Sequence, residues 1–178
     1  MTIQRLALIT ISALLLTNCA YNRRIVVGLS PDMETRYSIY PSIEFDVAAI
    51  TNDEADQIKT SGVDGYFSPD NPLRERLEPF TAYFDEESTA PCTLSTRNSL
   101  WLKWENKKPE KMVFIANLPY FPDMPQNDPR LFFIDLKKDF LTPVPMYVEI
   151  EPEKIVRIYK KPTDPRSNRH DSSQSDKN

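Results

Sequence analysis

The chain is poor in side chains that could run acid–base or metal chemistry. Among its 178 residues there is one histidine, His170, and two cysteines, Cys19 and Cys92. His170 lies in the polar stretch 160–178 (KKPTDPRSNRHDSSQSDKN), where nothing would hold an imidazole at a fixed distance from a nucleophile. Ser-His-Asp and Cys-His catalysis need that distance to be a hydrogen bond, so both are excluded. Metal sites built on histidine or on paired thiolates fall with them, and no metal or cofactor is expected. The 26 Asp and Glu residues stand in no catalytic pattern, and there is no G-x-S-x-G, P-loop or dinucleotide-binding glycine run. Asp64, Asp70 and Asp85 flank turns, but their spacing matches no calcium loop. The chain reads as a protein that is not an enzyme.

What remains is chemistry done to the chain. Arg5 precedes a mostly apolar stretch, Leu6–Leu16, and Leu16-Thr17-Asn18-Cys19 follows. As a helix those residues would reach about 16 Å, half of a bilayer's hydrocarbon core, so they suit a removed signal segment rather than a span. Leu at −3 and Cys at +1 resemble the lipobox cut by signal peptidase II, which makes Cys19 the expected lipidation site. Asn18 departs from the usual small residue at −1. Ala20 at +2, where Asp would favour inner-membrane retention in many Gram-negative bacteria, implies a periplasm-facing anchor in the outer membrane. One acyl chain binds a bilayer only marginally, whereas several hold it effectively permanently. An acylated Cys19 leaves Cys92 without a partner in the chain, so Cys92 is expected as a small buried hydrophobe.

The elements that must carry any site lie between. Residues 1–18 read as the signal, 19–24 as a lipidated tether, 25–159 as one folded domain and 160–178 as a disordered polar tail. Without Arg5, and without the five basic and three acidic residues from Lys160 onward, 16 basic stand against 23 acidic side chains, a formal −7. That balance argues against nucleic acid as a partner and against laying the whole domain on anionic lipid.

Ile25–Val27 reads as a brief strand and Tyr37–Tyr40 as another. Ser42–Ile50 (SIEFDVAAI) alternates, with Ile43, Phe45, Val47 and Ala49 on one face and Glu44 and Asp46 on the other, open to water or another chain. A helix is expected from Asn52 to Thr60, and a second from Pro72 to Leu77 capped by Asn71. Phe80–Phe84 alternates again, and Ser95 or Thr96 would cap a helix through Lys107 with Trp101 and Trp104 on one face. Met112–Leu118 (MVFIANL) is an apolar run with no polar face, and Leu131–Leu136 (LFFIDL) resembles it closely, as in strands covered on both sides. Met146–Ile150 and Ile155–Tyr159 close the list. Short strands joined by Pro-rich turns, with 16 Pro against 3 Gly, predict a mainly β chain: a single β-sandwich with two or three short inserted helices.

One connection looks built for contact. Pro119–Arg130 (PYFPDMPQNDPR) contains four prolines, which lower the entropy lost on binding. Tyr120, Phe121 and Met124 are of types enriched at interfaces and are the candidate partner-contact residues. The same loop could equally fold back on its own core.

This order of features resembles the type VI secretion outer-membrane lipoproteins, the TssJ family. The likeness spans about Cys19–Tyr159: the lipobox cysteine, the early strand SIEFDVAAI, short inserted helices, the apolar strand MVFIANL and a closing strand pair. It implies a transthyretin-like periplasmic β-sandwich with a non-enzymatic role, tethering an inner-membrane secretion component to the outer membrane. The partners expected are an envelope protein and, through Cys19, the lipid bilayer. Two other classes stay open. A ligand-binding lipoprotein would enclose a pocket lined by Trp101, Trp104, Tyr120 or Phe121. A carboxylate-only enzyme would bring two acidic groups into one cleft.

Overall fold

The computed structural model describes residues 24–119, 127–136 and 145–167. Eight strands form two sheets: β1 (Ile25–Leu29), β2 (Ile43–Ile50), β3 (Phe80–Phe84), β4 (Cys92–Leu94), β5 (Lys111–Ala116), β6 (Leu131–Asp135), β7 (Met146–Ile150) and β8 (Ile155–Ile158). Among the described residues four helices interrupt them: α1 (Asp32–Tyr37), α2 (Asn52–Tyr66), α3 (Pro72–Leu77) and α4 (Leu100–Asn106). The first sheet has the order β4-β1-β7-β8 and the second β3-β2-β5-β6. All pairs are antiparallel except β1 with β7. The protein is therefore the mainly β sandwich that the strand pattern predicts, and among the described residues it has four short helices where two or three were expected.

The core follows from the period of two in the strands. Phe45, Val47, Met112, Phe114, Val27, Leu29, Val148 and Ile150 are all at most 1 % exposed and belong to one continuous cluster. β5 is buried along nearly its whole length because α2 covers its second face. β6 was expected to match it but is half-buried, since it forms the edge of its sheet and has only one strand neighbour.

The helix ends obey local chemistry. Thr51 and Glu54 form a reciprocal capping box at α2, with Thr51 N donating to Glu54 Oε2 at 2.9 Å. Asn71 Oδ1 accepts from Leu73 N at 2.9 Å and Pro72 occupies the first helical position of α3, as the sequence predicts. Three expectations are corrected. The strand expected at Tyr37–Tyr40 does not form: Tyr37 ends α1, which Pro31 starts with φ −55°, which Met33 pins into the core and which Ser38 closes in the left-handed region at φ +63°. The first long helix continues past Thr60 to Tyr66, broken only at Gly62, whose φ of +66° lies in the left-handed region that glycine tolerates. The Trp-bearing helix begins at Leu100 rather than after Ser95 or Thr96.

The disordered tail is also corrected for residues 160–167. Pro162 and Pro165 are buried, Thr89 Oγ1 donates to Asp164 Oδ1 at 2.7 Å, and Arg166 pairs with Glu86 and lies over the Tyr40 ring. Pro162 packs on Gly28, where an added Cβ would stand 2.5 Å from the proline's own Cβ. The segment thus straps the outer face of the first sheet. Strand β4 was not foreseen, because three residues after a proline carry too little pattern. Cys92 within it is half-buried rather than buried, and burial pushes its thiol pKa up.

Candidate functional site

The loop between β5 and β6 is built on one buried cation. Arg130 is 1 % exposed, and an isolated charge at such a place would be costly. Its guanidinium is satisfied on every side. Nε donates to Asp128 Oδ1 at 3.0 Å and Nη2 to Asp128 Oδ2 at 2.8 Å, a two-pronged pair. Nη1 donates to Asp64 Oδ1 at 2.9 Å and to the carbonyl of Leu118 at 3.0 Å. Burial alone would lower the pKa of this group, but its bonds to Asp128 and Asp64 outweigh that and raise it.

These contacts tie three parts of the chain together. Leu118 is on the outgoing stem of the loop, Asp128 on the returning stem, and Asp64 on the segment of α2 that follows the Gly62 break. Backbone bonds finish the neck: Ala116 N to Arg130 O at 3.1 Å, Asn117 N to Glu44 O at 2.8 Å and Ile155 N to Pro129 O at 3.0 Å. Beside it, Lys59, Gly62, Asn127, Asp128, Leu131 and Phe133 line a groove of about 390 Å³, with Lys59 Nζ 5.4 Å from the Phe133 ring centre. The proposed contact residues Tyr120, Phe121 and Met124, and the lipidation site Cys19, lie outside the described residues.

The second expected contact surface is not available. Asp46, on the polar face of β2, is 1 % exposed. Arg74 of α3 lies across that face, its Nε donating to Asp46 Oδ2 at 2.7 Å and its Nη2 pairing with Glu44. Tyr66 and Thr81 hydroxyls donate to Asp46 at 2.9 and 2.6 Å, and the Tyr83 hydroxyl to Glu44 at 3.0 Å. The two carboxylates do converge, yet Arg74 fills the space between them and leaves no cleft in which they could share a proton. Burial first, and then the Asp46 charge, hold the Tyr66 phenol in its protonated form.

The other readings meet the structure as follows. Trp101 and Trp104 are 6 and 1 % exposed and stack edge to face with ring centres 5.3 Å apart. Their indole N–H groups donate to Ser95 O at 2.9 Å and Glu78 O at 3.3 Å, so neither ring lines a pocket. Asp64 is engaged by Arg130, and Asp85 Oδ1 accepts from Glu87 N and Ser88 N at 2.9 and 2.8 Å. Among the described residues no group of three or more His, Cys, Asp or Glu could hold a metal ion. Sequence reasoning marked the loop but missed its clamp. An Arg at the loop's last position, two residues after Asp128, was the available signal.

The strand directions divide the sandwich into two ends. β1 begins at Ile25 beside Leu94 and Met146, and α4, which follows β4, reaches Glu78 at the start of β3. The start of β1 and the end of β2 therefore share one end. The Arg130 neck, beside the start of β2 and the start of β8, is at the other.

No protein-family model and no curated protein sequence matches the chain. Solved structures do. The chain superposes on a structure described as the T6SS protein TssM C-terminal domain from EAEC, with a TM-score of 0.51 and 9 % identity over 76 % of this chain and 98 % of that one. A structure described as a Type VI membrane complex gives a TM-score of 0.51 and 12 % identity over 78 % and 98 %. Lip of Serratia marcescens, a membrane-bound component of the Type VI Secretion System, gives 0.49 and 7 % over 79 % and 98 %. The first two superpositions show that this chain shares its fold with those two structures.

Proposed function

We propose that this protein is a non-enzymatic component of an envelope assembly, a type VI secretion lipoprotein held at the periplasmic face of the outer membrane by acyl chains on Cys19. It binds an envelope protein partner through the loop between β5 and β6. The shared fold supports the assembly. The observation that carries the site is polarity: the chain enters the sandwich at Arg24 and Ile25, while the Arg130-clamped loop stands at the far end. An anchor at one end and a stiff neck at the other would let the loop reach away from the leaflet toward a protein rooted elsewhere. The packed Trp101–Trp104 pair gives no support to a ligand-binding role.

Photocrosslinkers placed at residues 117–130 in cells should capture one dominant inner-membrane secretion component, and Cys19→Ser should move the protein from the membrane fraction to the soluble periplasm. Capture of no protein from any position in the loop would overturn the partner assignment. Unchanged fractionation of Cys19→Ser would overturn the anchor.

A further inference from the structure

The end of the sandwich from which the tether leaves carries exposed basic residues on the first sheet, beside a mixed set on the second sheet and α4: Glu78, Glu105 and Glu110 with Lys103, Lys107 and Lys108. Arg24 is exposed, and its carbonyl accepts from Met146 N at 2.8 Å. On the other side of β7, the Tyr147–Ile158 pair brings Tyr159 to the same end, where the chain bends at Tyr159 and Lys160 before Pro162 packs on Gly28. Arg97 follows β4, whose Leu94 pairs with Ile25. Arg97, Arg157, Lys160 and Lys161 are all exposed. Tyr159 is 91 % exposed, with Arg157 6.0 Å from its ring centre. Leu102, on α4 at this end, is 68 % exposed.

We propose that this end is a membrane-contact face that seats the domain on the anionic headgroups of the leaflet holding its acyl chains, with Tyr159 at the interface. The inference rests on the lipid anchor at Cys19. Four residues lie between Cys19 and Arg24, and the five steps from one to the other span at most about 18 Å, so the basic end stays close to the headgroups, where each Lys or Arg favours binding by about fivefold. Aromatic rings with a polar tip settle at the same depth. The acidic remainder of the domain is repelled by the same surface. Attraction at one end and repulsion elsewhere would orient the sandwich upright, with the Arg130 neck pointing away from the bilayer.

The test uses the acylated full-length mature protein on vesicles of pure phosphatidylcholine and on vesicles with about 30 % phosphatidylglycerol. Flotation on phosphatidylcholine reports the anchor alone, and failure to float there overturns the lipid anchor. Amide hydrogen exchange over residues 157–161 reports the contact. It should slow on the anionic vesicles, return to the phosphatidylcholine rate in about 0.5 M salt, and stay fast in the double variant Lys160→Glu, Lys161→Glu, whose flotation is unaltered. Equal exchange on both vesicle types for a protein that floats would overturn the proposal and leave the basic end for an acidic protein.

Discussion

Arg130 Nη1 donates to the carbonyl oxygen of Leu118 at 3.0 Å, twelve residues back along the chain, and so closes the neck of the loop that leaves β5 and returns to β6. The bond is buried, and the same guanidinium is shared with Asp128 and Asp64. One side chain therefore holds the two stems of the loop, at Leu118 and Asp128, to each other and to α2.

Replacing Arg130 with Met keeps volume but strands the buried Leu118 carbonyl and one face of Asp128. A loss of about 2–4 kcal/mol is expected in urea unfolding, because an unsatisfied buried group carries its full desolvation penalty. Arg130→Lys should recover only part of it, since an ammonium cannot span three acceptors in a plane. Tyr120→Ala with Phe121→Ala should leave the unfolding midpoint unchanged and abolish partner crosslinking.

The Arg74 bridge should be stiffer than a surface ion pair. Asp46 is 1 % exposed and Arg74 25 %, so Arg74→Ala leaves a buried carboxylate with only two hydroxyl donors. A loss of about 2–3 kcal/mol is expected, at the low end of buried-pair deletions because the arginine is partly in water. Chemical denaturation of Arg74→Ala beside Asp46→Asn would check it, the asparagine variant being the milder.

Gly28→Ala should clash with the C-terminal strap rather than with the sheet. The new methyl would meet Pro162 at 2.5 Å, and a rigid ring cannot swing aside. Overpacking of this kind costs about 1–3 kcal/mol. In chains truncated after Lys161 the same substitution should cost much less. A double-mutant cycle reads this directly, and equal costs in both backgrounds would show that the strap does not cover Gly28.

Glu149 gives the pH signature. Burial first, and then the charges of Glu151 and Asp32, raise its pKa above the ordinary carboxylate value. The folded state therefore holds a proton that the unfolded state has lost, and this group's contribution to stability falls as pH rises through its folded pKa. Glu149→Gln should raise the thermal midpoint near pH 7, with the advantage shrinking as pH falls toward about 4. An advantage that grew on acidification would contradict the sign.

Sequence alone determined most of what is periodic or locally capped. SIEFDVAAI and MVFIANL fall in central strands because alternating and continuous apolar runs can be satisfied only in covered sheet positions. Asn71-Pro72 starts a helix because its side chain and ring satisfy local backbone geometry without help from elsewhere. The tertiary structure decided what covers what. The polar face of β2 reads as open in sequence, but Arg74, 28 residues further on, is brought across it. Leu131–Asp135 reads like β5 but lies at an edge, which strand order sets and composition does not. Residues 160–167 hold two buried prolines that no local pattern marks for burial. Arg130 looks like one more charged loop residue until Leu118, Asp128 and Asp64 are folded around it. Hydrogen bonds between residues distant in sequence form only once packing has removed water from around both partners, and no local pattern records that.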